Sequence, residues 1–229
     1  MDAAFFLRIR TNFIRRYYAT GIEPFREIQR KIGTGESPYG EPPMTFRAED
    51  GEPAFLDAWI EADDGAQVVG RSAVSLLSDS IKLYFKALEQ QLAFGLSKEQ
   101  KVLASRKGFV AAYSVALGER LDTRWTDCPV RFDVIEQVVL ARNRAQHGEH
   151  VSLLGVRHDP RTLRRHPDLI FANERELSLW AGDGAGAPAW LAPRLDITDD
   201  ALAAAIAEIE RLADWIDERI AATAPFRRA

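Results

Sequence analysis

One short stretch of the chain gathers side chains that can both move a proton and hold a phosphate: Ala141-Arg142-Asn143-Arg144-Ala145-Gln146-His147-Gly148. On a helix, Asn143 and His147 stand four apart and therefore share a face one turn from each other, with Glu136 and Leu140 extending the same stripe. Arg142 lies five positions before His147, to one side, with a side chain long enough to swing back. The end of a helix carries unpaired carbonyls whose partial negative charge stabilises an imidazolium. Histidine titrates near neutrality and a guanidinium stays charged, which is the equipment for cleaving an RNA phosphodiester. The ribose 2′-hydroxyl attacks the adjacent phosphate, His147 transfers a proton, Arg142 neutralises the phosphorane, and Asn143 positions His147 or the phosphate. With the nucleophile inside the substrate, no metal and no cofactor is required. The same residues also suit a plain helix C-terminus whose basic side chains complement its dipole, so that reading stands beside the catalytic one.

The surroundings of the motif are unusual in charge. The whole chain of 229 residues has a net charge of −4 and a pI near 5.7, which by itself argues against a nucleic-acid partner. Yet from Arg142 to His166 six arginines face only Glu149 and Asp159, and all four histidines (His147, His150, His158, His166) fall in this window. Arg144, Arg157, Arg161, Arg164 and Arg165 are candidates for a phosphate-tracking RNA surface, or form a solvated face. The histidines suggest a zinc site as an alternative, but the setting is rich in arginine and lacks cysteine, so no metal is assigned. Trp180 and Trp190 flank a glycine-rich turn and can stack bases or pack in a core. Asp79, Lys82 and Lys86 read as surface charges, and the single cysteine, Cys128, as inert.

The elements that must position these groups are mostly helices. Phe6, Ile9, Phe13 and Tyr17 recur at three-to-four spacing and predict an amphipathic helix over 2–19, docked on the protein's own core through that face; a basic helix of this kind also suits a membrane surface. Gly21 ends it, and Pro24 opens a second short helix to about residue 32. Residues 34–53 are dense in glycine and proline and read as a loop with a small hairpin near 44–46. The strongest helical signal follows: a first apolar face from 54, a break at Gly65 or Gly70, then Val74, Leu77, Ile81, Tyr84, Leu88 and Leu92. Ser97 with Gln100 makes a capping box for a helix over 98–117, breaking near Gly108. The motif helix spans 132–146. Beyond it, 169–180 reads as a β-hairpin turning at 173–175. A last helix over 198–222 turns Leu202, Ile206, Ile209, Leu212 and Ile216 inward.

The fold class is therefore mainly α, a helical bundle with a small β-hairpin insert after the motif helix. Hydrophobic residues at 46% and charged residues at 28% exclude a disordered or collagen-like chain. No apolar run reaches the roughly 18–20 residues that span a bilayer, and one cysteine fits a reducing compartment, so a cytoplasmic protein without a membrane partner is expected.

Arg142-Asn143-x-x-x-His147-Gly148 at a helix end resembles the signature of the HEPN superfamily: an arginine, often a following polar residue, then four to six residues to a histidine. Residues 73–88 also resemble the first long helix of such domains. The likeness covers the core bundle at 54–150 and extends to the C-terminal helix at 198–222; it leaves the N-terminal helices and loop at 1–53 and the insert at 151–197 unassigned within one expected domain over 1–229. It implies a metal-independent endoribonuclease of toxin–antitoxin or phage-defence type, with Arg142 and His147 as the catalytic pair and Asn143 as the polar neighbour. It further implies a homodimer whose two motifs build one composite site, and an antitoxin or defence-system protein as partner. Other members are non-catalytic RNA- or protein-binding modules, which is the alternative reading. In one branch, neutralised by a nucleotidyltransferase, a tyrosine stands two residues after the histidine; here that residue is Glu149, and that chemistry is not carried over.

Overall fold

Two long helices lie antiparallel along their length and set the frame. In a computed structural model of the chain, which describes residues 2–41, 52–146, 155–182 and 191–223, α1 (Ala3–Thr34) runs against α2 (Leu56–Gln91). They are followed by α3 (Lys98–Lys107), α4 (Phe109–Arg120), a short 3-10 turn at Trp125–Asp127, α5 (Phe132–Gln146), α6 (Pro160–Arg165), α7 (Glu174–Gly182) and α8 (Asp199–Thr223). Among the described residues no strand forms, and no helix is long and apolar enough to cross a membrane. The small hairpin expected near 44–46 lies outside the described residues.

The expected breaks in α1 and α2 do not occur. A Cβ on Gly21 would sit 2.8 Å from a Val69 methyl, and one on Gly65 would fall 2.2 Å from the Phe25 ring. These glycines are the points where the two helices approach most closely. Contact between helices outweighs the roughly 1 kcal/mol that a mid-helix glycine costs. Pro24 also lies inside α1, exposed between the packed Ile22 and Phe25, and the helix runs on despite the lost backbone hydrogen bond.

The face of α1 that docks is also not the aromatic one. Leu7, Ile14, Tyr18 and Ile22 are buried, with the small residues Ala3, Ala4 and Thr11 letting α8 come close. Along that seam Arg15 pairs with Glu210 at 2.8 Å, Arg8 with Asp214, and Arg26 with Asp199, while the Tyr18 hydroxyl donates to the carbonyl of Ile197 at 3.0 Å. Phe6, Ile9 and Phe13 are left in solvent.

The main core takes side chains from α1, α2, α4, α5 and α8 and reaches Phe171, Leu195 and Ile197 of the segment after α5. A lesser cluster of Leu163, Leu169 and Ala192 closes under α6 and α7. The β-hairpin expected over 169–180 is replaced by a turn and α7. Asn173 caps that helix: its Oδ1 accepts from the Arg175 amide at 3.0 Å, and its carbonyl accepts from Leu177. Glu174 and Glu176 then lie in the first turn, where carboxylates are stabilised. Asn-Glu-Arg is thus a helix start, not a hairpin turn. Among the described residues the extended pairing is one antiparallel bridge between Arg157 and Arg194, with the Leu195 amide donating to the Val156 carbonyl at 2.7 Å.

Candidate functional site

The motif helix is fixed from two sides. Val134, Ile135, Val138 and Ala141 are buried in the main core, and the side chain of Gln137, 2% exposed, clamps the following segment. Its amide donates to the carbonyl of Asp168 at 3.1 Å, and its oxygen accepts from the Ile170 amide at 2.9 Å. Both backbone groups are thereby satisfied in a part-buried place, where leaving them unpaired would cost at most about 1–3 kcal/mol each.

Arg142 lies in the last turns of this helix, half-buried. Its Nη1 donates to Asn143 Oδ1 at 3.3 Å, its Nη2 stands 3.8 Å from the Asp79 carboxylate of α2, and its Nε is enclosed without a hydrogen-bond partner among the described residues. Asn143 is exposed beside it. His147 and His150 lie outside the described residues, as do 148–149 and 151–154.

Asp79 lines a groove of about 620 Å³ that the sequence did not reveal. Phe13 and Tyr17 of α1, Arg71 and Ser75 of α2, and Ala145 of α5 form its walls. The Phe13 and Tyr17 rings stack with centroids 6.2 Å apart. Arg71 is 8% exposed; burial lowers its pKa, with Asp64 opposing and Arg194 adding to the effect. Three helices far apart in sequence build this groove, so spacing within any one of them does not show it. The one local signal was an arginine set at the start of the apolar repeat of α2.

The arginine-rich window is divided by the fold instead of forming one surface. Arg144 Nε donates to the carbonyl of Arg157 at 2.5 Å, and Arg157 Nη1 to that of Ala192 at 2.6 Å. Arg165 pairs with Glu136 at 2.5 Å. Arg161 and Arg164 stand exposed on α6, without an ion pair among the described residues. No family model, curated protein or solved structure matches this chain. By its own chemistry the groove joins the Arg71 guanidinium and serine hydroxyls to stacked aromatic rings, with the Arg142 guanidinium set against its Asp79, a combination that suits an anionic, base-bearing ligand.

Among the described residues no three His, Cys, Asp or Glu side chains are arranged to hold a metal ion. His158 is 5% exposed and its Nε2–H donates to the carbonyl of Phe171 at 2.8 Å; His166 is buried with its Nε2 3.5 Å from Glu136. Burial pushes the Cys128 thiol up to about 11, which keeps it unreactive near neutrality.

His158 gives a pH prediction. Burial lowers its pKa below the ordinary 6.5, with the Phe171 carbonyl opposing. The unfolded chain then binds a proton at a higher pH than the folded one. Stability is full above the ordinary value and falls as the pH drops through it, until the folded form is protonated too. Urea midpoints measured between about pH 7.5 and 5.5 should decline with acid, and His158→Gln should flatten that slope. An unchanged slope in the variant would remove His158 from the account.

Proposed function

We propose that this chain is a HEPN-like, metal-independent endoribonuclease that works by attack of the substrate 2′-hydroxyl. The observation that carries the reading is the placement of Arg142. It stands near the end of α5, beside an aromatic- and arginine-lined groove, held by a long and readily displaced contact to the exposed Asp79. An incoming phosphate competes with Asp79 for the guanidinium, and the stacked Phe13 and Tyr17 offer a platform for a base. His147 follows the last residue of the helix by one position and supplies the proton transfer. Imidazole-based cleavage wants two proton-transfer groups, and a two-fold homodimer provides the second His147 across its axis. A toxin–antitoxin or phage-defence setting is the natural home of such an activity.

The test is incubation of the purified chain with a broad panel of transcripts and tRNAs. Cleavage should leave a 2′,3′-cyclic phosphate and a 5′-hydroxyl, persist in EDTA, and disappear in His147→Ala. Cleavage fully retained by that variant would defeat the proposal. RNA binding without cleavage, equal in the native chain and the variant, would instead favour the non-catalytic module.

A further inference from the structure

The aromatic wall of the groove beside Arg142 runs on along α1 beyond Phe13, so a ligand laid along its full length competes with RNA at Phe13 and Tyr17. Phe6, Phe13 and the half-buried Tyr17 follow one another along α1, and Val68, Leu76 and Leu83 along the antiparallel α2. Phe6 and Leu83 are each 49% exposed and Phe13 is 54% exposed, so the two helices leave a row of large apolar residues in solvent. Between the two helices the surface is concave. A cavity of about 340 Å³ lies between Phe6 and Leu83, with the Arg10 guanidinium, bound to Ser80 at 2.9 Å, in its wall. At 1.5 Å per residue the stripe runs for about 16–22 Å, three to four turns of a helix.

Basic residues border this surface: Arg10 and Lys86 line the smaller cavity. Lys82 and Lys86 stand exposed along α2, and Arg16 along α1, none with an ion pair among the described residues. The one carboxylate in the walls, Asp79, is offset by Arg142. A second copy laid on this face would bring Arg16, Lys82 and Lys86 of both chains together, which like charges oppose. A bilayer is flat and would touch the outer aromatic ridge of α1 while leaving the floor of the groove uncovered. A helix fills a concave, two-helix groove of this length, with apolar anchors at three-to-four spacing. We infer that the α1–α2 groove is a docking site for an acidic amphipathic helix of a partner protein, apolar on the inserted face and carrying Asp or Glu on its flanks.

The test uses two labelled synthetic four-turn helices with the same leucine face, one flanked by glutamates and the other by lysines, titrated into the full chain without RNA. The acidic helix should bind about tenfold or more tighter, and the gap should shrink with added salt. Phe6→Ser and Leu83→Ser should each weaken its binding about tenfold, since exposed anchors of this kind carry most of the affinity. The Lys82→Glu, Lys86→Glu double variant, whose sites are exposed and whose fold is checked by far-UV circular dichroism, should reverse the preference between the two helices. Equal binding of both helices, or binding indifferent to all three variants, overturns the inference. So does stripe-dependent adsorption to phosphatidylserine vesicles without peptide binding, or a solution dimer that Phe6→Ser splits into monomers.

Discussion

Replacing Arg142 by alanine is expected to reduce RNA cleavage by about a hundredfold to a thousandfold, the usual effect of removing one donor aimed at a developing oxyanion. The fold should hardly notice. Arg142 makes one long contact to Asp79, which is half-exposed, and one weak hydrogen bond to its neighbour Asn143. Pairs of that kind contribute at most about 1 kcal/mol, and Asp79 left alone remains solvated. Arg142→Lys separates charge from geometry: an ammonium keeps the Coulomb attraction but loses the planar fork, so an intermediate rate is expected. The decisive measurement is single-turnover cleavage of one RNA by the three proteins at equal concentration, with melting temperatures taken alongside. A native rate in Arg142→Ala would detach the guanidinium from the chemistry.

That experiment rests on a residue the sequence did point to, whereas much around it was hidden. Helices whose apolar residues repeat cleanly were legible, down to the buried faces of α2 and α8, because each face packs against one continuous core. The capping box at Ser97 and Gln100 was equally plain, with both reciprocal hydrogen bonds present, at 3.2 and 2.8 Å. Local chemistry of this kind is decided within four residues. The face of α1 was misread for a physical reason. Large aromatic residues dominate any hydropathy pattern, but the docking side needs small residues where another helix comes close, and Ala3, Ala4 and Thr11 supply that. Glycines at 21 and 65 deceived in the same way, being contact points and not stops.

Counting charges does not see backbone carbonyls, so the basic window looks more uniform in the sequence than in the fold. Arg144 and Arg157 are drawn onto carbonyl oxygens of the segment after α5, so they hold that segment in place instead of lining an outer face. The groove was missed because its walls come from α1, α2 and α5, and only the fold brings them together. Motif and groove thus carry different information: the first names a reaction to test, the second is a concave surface whose Asp79 faces Arg142.

The frame that brings those walls together should fail most sharply at Phe85. This ring is fully buried in α2, stacks on Tyr113 of α4 with centroids 4.7 Å apart and planes 10° from parallel, and meets the edge of Phe109 at 6.2 Å. Phe85→Ala removes most of a large side chain from a site bounded by two other rings, which cannot collapse into the space without leaving their own positions. A loss of about 3–5 kcal/mol is expected, the transfer and cavity terms together, with the broken aromatic pairs contributing part of it. Against a total stability of about 5–15 kcal/mol, that takes a large fraction of what holds the chain folded. Urea unfolding followed by circular dichroism should show the midpoint fall steeply with the slope unchanged, since the surface exposed on unfolding is nearly the same. Phe85→Leu should fall between the two, because it leaves less empty volume beside Tyr113. A loss under about 1 kcal/mol in Phe85→Ala would mean that α4 repacks onto α2 without this contact, and that the junction is softer than its stacked geometry implies.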